Sequence, residues 1–405
     1  MVVELLANSF GSSQYRNTSQ NNLTAIQIEY RKLTDFYDQF FTIFYWIAGT
    51  IAIPMNVLLL YLIIKKSPPS LKVYKVLLLN QCITDLFYAL SITFLQPRII
   101  PNKWAFAYVA LGPVKYLGSE FAYETYCVQL HSIFYTFLSF PLSFGFRYYV
   151  LVRPVPQIKS LIMLLLSLWS IAIFQHVSFI FSEWDSKKVL AYLAINKPHY
   201  NMSGLIVSGN HMLEKPMTSF VLATIVLPMF PIYVLVVYFY YKVEGFLTAN
   251  ADKLRAQTVK GHRRLLMALT IQAALPVFTI FPPIGIYGLY HLELINVTVI
   301  EYLVYVLFAF YPAFSPMITI YFVKPYNMAI QRATGLYVRR FTRAFSLTQT
   351  TTGFISETIG GEKQLEMRRP IMEKLGSSKR RSQKLHRETK ESRPLQTHFP
   401  DRHST

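Results

Sequence analysis

Seven apolar segments lie between about Phe40 and Val323, and each is long enough to cross a bilayer. A hydrocarbon layer about 30 Å thick takes roughly 20 residues of helix at about 1.5 Å each, and soluble core helices seldom run that far without charge. The spacing predicts spans at 40 to 64, 76 to 97, 122 to 150, 161 to 182, 217 to 241, 265 to 290 and 300 to 323. The fold class that follows is all-α, a seven-transmembrane helix bundle.

Basic residues crowd onto alternate connections. Of 40 Lys and Arg, 29 fall in 65 to 75, 151 to 160, 242 to 264 and the tail from 324, and Arg147 at the end of the third span joins them. Cytoplasmic loops carry such an excess, so the N-terminus is expected outside and the C-terminus in the cytoplasm. Short loops must carry this rule, and they do: Lys65, Lys66, Lys72 and Lys75 lie in one inner loop, and Lys242, Lys253, Arg255, Lys260, Arg263 and Arg264 in another. The formal charge of +19 is then topology and calls for no nucleic-acid partner. Met1 to Ala7 is too short for a cleavable signal and contains Glu4, so the first span is expected to direct insertion. Sequons for N-glycosylation begin at Asn17, Asn22, Asn201 and Asn296, all on the side the charges place outside. Cys82 and Cys127, the two cysteines present, both fall inside spans and are expected as buried free thiols.

Catalytic signatures do not emerge. The sequence has no His-Glu-x-x-His helix, phosphate-binding glycine loop or cysteine pair at metal spacing, so no enzyme, metal or cofactor is expected. A seven-span transporter and a chemosensory ion channel are the alternatives to a receptor. The early prolines, Pro54 and Pro141, do not mirror the later clusters as a transporter repeat would, and an insect-type channel would place the N-terminus inside.

Five stretches carry a resemblance: LLLNQCITDL from Leu77 to Leu86, LQPRIIPN from Leu95 to Asn102, ALGPVKYLG from Ala110 to Gly118, FGFRYYVLVRP from Phe144 to Pro154 and YPAFSPMITIYFVKPYN from Tyr311 to Asn327. In their order along seven spans they resemble the nematode serpentine receptors of class delta. The resemblance covers about Phe40 to Asn327. It implies a rhodopsin-like receptor architecture, an external small-molecule ligand, coupling to a heterotrimeric G protein, and a place in the plasma membrane of a sensory cilium.

Several polar residues bear on that reading. Asn56 and Asp85 lie at depths where an unpaired carboxylate is costly, so Asp85 should face the interior, with Asn56 and Asn80 as candidate partners. The pattern resembles the polar switch network of rhodopsin-like receptors; a purely structural interhelical hydrogen bond is the alternative. Arg147, beside Tyr148, resembles the arginine that such receptors present to their G protein, although Phe146 stands where an acid precedes it and His262-Arg263-Arg264 supplies no acid from the sixth span. A snorkelling interfacial arginine is the competing reading. Pro316 and Tyr321 resemble a degenerate proline-tyrosine switch. Glu120, Glu124, Cys127 and His131 share one helix face. With the first solvated at the helix start, Glu124, Cys127 and His131 are candidates to line a ligand pocket, against the alternative of a satisfied core histidine. Gln175 and His176 in the fourth span are expected to be structural.

Pro228, Pro231, Pro276, Pro282, Pro283, Pro312 and Pro316 should kink the last three spans. Aromatic and basic residues from Tyr326 to Phe345 recur at helical spacing, which predicts an amphipathic helix on membrane lipid over 324 to 345. The expected division is then a segment 1 to 39 outside, the bundle 40 to 323, this surface helix, and a polar tail 346 to 405 whose Ser346, Thr348, Thr350, Thr351, Thr352, Ser356 and Thr358 could take phosphate and recruit an arrestin-like partner.

Overall fold

The computed structural model describes residues 2 to 335 apart from 296, with side chains from Leu23 onward except at Ser70. The predicted amphipathic helix is covered only to 335, where helix resumes at 324, and the phosphate-acceptor cluster lies outside the described residues. The chain divides into two units, Met1–Arg332 and Ala333–Thr405, and everything below concerns the first.

Helix α1 (Val2–Lys66) starts far upstream of the first predicted span. It ends where Pro68 and Pro69 deny it further hydrogen bonds, with Lys65 and Lys66 in the last turn, where cations suit the helix dipole. Helix α2 (Tyr74–Leu95) stops at Gln96, whose left-handed φ of 48° turns the chain into Pro97. Two strands follow, β1 (Pro97–Asn102) and β2 (Ala105–Ala110), joined by the tight turn Lys103-Trp104 with Lys103 at φ 54°. Helix α3 (Ser119–Val152) ends just before Arg153-Pro154. Helix α4 (Ile158–Ile180) leads to the short α5 (Ser186–Asn196), whose start is capped by Asp185 accepting from the Lys187 amide at 2.7 Å. Strand β3 (Ile206–His211) then pairs antiparallel with β2, giving a sheet of order β1-β2-β3 with Ala107 opposite both Ile100 and Gly209.

Prolines divide the fifth and sixth spans in two. Helices α6 (Pro216–Val226) and α7 (Met229–Ala249) meet at Leu227-Pro228, and α8 (Ala256–Thr279) and α9 (Phe281–His291) meet at Ile280, ahead of Pro282 and Pro283. Helix α10 (Ile300–Phe322) runs unbroken through Pro312 and Pro316. Among the described residues, six helical runs are long and apolar enough to cross a membrane. The remaining span, α3, has the length at 34 residues but carries more polar side chains, among them Glu124, Gln129 and His131.

In the bundle α10 packs against α1, α2, α8, α9 and β1, while α3 packs against α2, α4 and α7. The sheet was not anticipated from sequence. Every residue of β1 and β2 is buried, so the hairpin fills one mouth of the bundle. Gly209 is required where β3 passes the Phe106 carbonyl and the Val189 side chain, because a Cβ there would collide with that carbonyl.

Candidate functional site

Three polar clusters stand along the bundle. Midway, Asp85 is almost wholly buried, accepting from Gln81 Nε2 at 2.8 Å and from the Ser315 hydroxyl at 2.6 Å. Gln272 of α8 donates to Ser315 Oγ at 3.1 Å and to Thr319 Oγ1 at 2.9 Å, so one network joins α2, α10 and α8. The expected partners Asn56 and Asn80 lie elsewhere. Asn56 donates to the carbonyls of Ala52 and Pro312, both at 2.9 Å, and Asn80 accepts from Tyr135 at 2.8 Å. Proline at 316 leaves the Pro312 carbonyl without its helical donor, which is why an asparagine from α1 can reach it. A cavity of about 20 Å³ beside Asp85, Gln81 and Gln272 has room for one water.

At the end away from the sheet, Arg147 is buried, with its guanidinium 3.5 Å from the centre of the Tyr74 ring. Among the described residues no carboxylate pairs with it, and its Nε and Nη2 have no hydrogen-bond partner. Tyr74 takes the place of the missing acid, because the ring face attracts a cation. Arg147 borders a cavity of about 520 Å³ between α2, α3 and the start of α8, where His262 Nδ1 is also buried without a partner. Pro316 is buried in α10, but Tyr321 is 62% exposed, so the two do not form the resembling switch. The buried tyrosine here is Tyr326, hydrogen-bonded to Ser67 at 2.7 Å. Tyr148 is half-buried with its ring 6.5 Å from Phe239 of α7.

At the sheet end, Arg98 of β1 and Glu301 of α10 are fully buried and form an ion pair at 2.7 Å, with Arg98 Nε also donating at 2.8 Å. Tyr290 at 2.8 Å and Tyr200 donate to the other Glu301 oxygen, while Asp38 lies 3.5 Å from Arg98 and accepts from Tyr302 at 2.6 Å. Burial works against the Arg98 charge, but Glu301, Tyr302 and Asp38 outweigh it and hold the guanidinium above its ordinary range. This cluster ties α1, β1, the segment before β3, α9 and α10 together. The cluster is not legible from the sequence as a pairing, and its signals are Glu301 as an acid inside a predicted span and Arg98 within the LQPRIIPN stretch.

The expected ligand stripe on α3 is corrected by the packing. His131 is half-buried, with Nδ1 3.1 Å from the Ala172 carbonyl of α4 and its ring 5.4 Å from His176. Glu124 is exposed and Cys127 is buried in the core, free like Cys82. The stripe does not line the interior as a unit, because only His131 meets α4 and Glu124 is exposed, while α3 presents Tyr126 toward α10 and Phe137 toward α7 and α9. Tyr126 bonds Tyr305 of α10 and packs 4.2 Å from the Tyr108 ring, and the Tyr287 hydroxyl nearby is buried without a partner. Of the sequons, Asn201 lies at the sheet end, its carbonyl accepting from Arg31 at 2.8 Å; the side chains of Asn17 and Asn22, and the whole of Asn296, are outside the described residues. Among the described residues no three His, Cys, Asp or Glu side chains gather as a metal site.

The sequence pattern of the family described as "Serpentine type 7TM GPCR chemoreceptor Srd" matches residues 41–332. This chain belongs to the Srd family. Among Caenorhabditis elegans relatives, serpentine receptor class delta-18 is 29% identical over 72% of this chain and 88% of its own length. Serpentine receptor class delta-32 is 30% identical over 73% of this chain and 87% of its own length. The fold is similar to that of squid rhodopsin, with a TM-score of 0.56 at 15% identity over 75% of this chain and 87% of that one. The Srd chain is thus a multi-pass membrane protein and a chemoreceptor of the G-protein-coupled class, a family without enzymatic activity, and the transporter and channel alternatives are set aside.

Proposed function

We propose that this Srd receptor binds an external small molecule at its sheet end and signals to a heterotrimeric G protein at its Arg147 end. The single observation that carries the coupling is Arg147, buried at the rim of a cavity of about 520 Å³ with two donors unpartnered. The basic loops all lie at that end, which supports a cytoplasmic face there and an external N-terminus, with Asn17, Asn22, Asn201 and Asn296 as glycan acceptors. The ligand binds at the tyrosines beneath the sheet, Tyr126, Tyr287 and Tyr305, rather than at His131, Glu124 and Cys127, since an unpartnered hydroxyl and aromatic faces there suit a small polar aromatic compound. Plasma membrane of a sensory cilium is the proposed location, and the tail's Ser and Thr cluster the proposed arrestin-type contact.

Nucleotide exchange on a purified G protein, with the receptor in lipid nanodiscs, tests the coupling. Exchange above the receptor-free rate is expected, lost in Arg147→Ala; an unchanged rate in that variant would refute the assigned role. Glycan on Asn17 or Asn201 in membranes from expressing cells is expected, and its absence alongside modification of an engineered tail sequon would overturn the orientation.

A further inference from the structure

A second apolar recess lies on the flank of the bundle, between α3, α4 and α7. It has a volume of about 810 Å³ and runs along α3 from Leu138 to Val152, about 21 Å at the rise of an α-helix. Half of a hydrocarbon layer is about 15 Å deep, so the recess spans roughly one leaflet. Its walls are graded. Leu138, Leu168 and Ile232 line the deep end, whereas Arg153 and Ser160 line the end beside the α3–α4 connection. On α3, Gly145 lets the Phe239 ring of α7 approach closely, and the short ring of Pro141 lines the recess beside it.

We infer that this groove is a binding site for an anionic phospholipid of the leaflet on the Arg147 side, with an acyl chain lying along α3 and the headgroup phosphate on Arg153. Lipid is what surrounds a membrane protein at this depth. The polar-to-apolar gradient suits an amphiphile held head-outward better than a wholly apolar helix. Arg153 is the one formal charge among the lining residues, is exposed, and makes no ion pair among the described residues, while Lys159 stands exposed next to Ser160 on α4. A phosphodiester meets that charge through bidentate hydrogen bonds, with the Ser160 hydroxyl as a further donor. Naming this leaflet cytoplasmic rests on the orientation proposed above; the gradient within the groove does not.

The test uses the full chain in nanodiscs of phosphatidylcholine containing a small fraction of phosphatidylserine carrying a photoreactive acyl chain, followed by mapping of the labelled peptides. Nanodisc leaflets are alike, so the outcome is independent of orientation and of G-protein coupling. Labelling of the α4 peptide around Ser160 to Leu168 is expected to exceed that from a photoreactive phosphatidylcholine by about five-fold, the weight of one basic residue at an anionic surface. Arg153→Gln should remove most of that difference, with Arg153→Gln/Lys159→Gln bringing the two probes level, while leaving the folded yield intact. Leu164→Trp, at a position 47% exposed, should reduce labelling by both. Equal labelling by both probes in the unmodified chain would reduce the groove to ordinary annular contact and overturn the proposal. Cross-links between two receptor chains through α4 would overturn it in favour of a dimer interface.

Discussion

Arg98 and Glu301 stand 203 residues apart in the chain and meet as a fully buried ion pair at 2.7 Å. Each needs the other, because a charge stripped of water and left alone costs far more than the pair gains. The pair joins the hairpin to α10, so the sheet is locked into the mouth of the bundle without a disulfide among the described residues. Arg98→Met alone should destabilise the receptor by about 3–5 kcal/mol by stranding Glu301. Adding Glu301→Leu should restore much of that loss, read as thermal midpoints in detergent; a double variant no better than the single would show that the carboxylate was never stranded.

Acid should loosen the same end of the molecule. Burial first, and then the neighbouring Lys197, hold His199 below its ordinary 6.5, with Glu301 opposing. Its ring packs edge-on against Tyr30 at 4.9 Å, beside Tyr200. The folded state therefore favours the neutral ring. Its contribution is fully present above 6.5 and is lost as pH falls through the lowered value, where the unfolded chain already holds the proton. Proteolysis of the segment between α5 and β3 should quicken below pH 6.5, and less so in His199→Gln.

Two glycines should respond in opposite directions. Gly209→Ala places a Cβ against the Phe106 carbonyl and should cost about 1–3 kcal/mol or prevent folding. Gly245 in α7 has nothing within 4 Å of its ideal Cβ, so Gly245→Ala should stabilise by about 0.5–1 kcal/mol. Paired thermal melts check both signs.

Releasing Arg147 should raise signalling without ligand. Its guanidinium rests on the Tyr74 ring at 3.5 Å, a contact worth about 0.5–2 kcal/mol. Tyr74→Leu keeps an apolar wall but removes the ring face. Basal nucleotide exchange should rise several-fold, whereas Arg147→Ala lowers it; a fall in both variants would mean that Tyr74 supports the active state instead.

Much of the bundle was legible along the chain. The apolar runs located every span, and the depth of Asp85 announced a buried carboxylate before its partners were known. The α3 stripe shows where such reasoning stops. Spacing of four, three and four puts Glu120, Glu124, Cys127 and His131 on one face, but what meets that face is chosen by the rotation of α3 in the bundle: Glu120 and Glu124 are exposed, Cys127 is buried in the core and His131 meets α4. Tyr321 failed for the same reason: its distance from Pro316 fixes an angle around α10, and that angle points outward. The sheet left a signal in the short apolar runs on either side of Lys103-Trp104, yet β2 gains its second partner only from β3, about a hundred residues later.

Hydrophobic length and charge placement are additive along the chain, so the sequence alone determined the number of spans and the membrane class, and its five motifs in order carried the resemblance to the family. Pairings across helices are not additive. Which acid meets Arg98, which ring shields Arg147, and which carbonyl Asn56 reaches depend on helix rotation and on the hairpin folding back into the mouth, and these were decided only when all seven spans packed together.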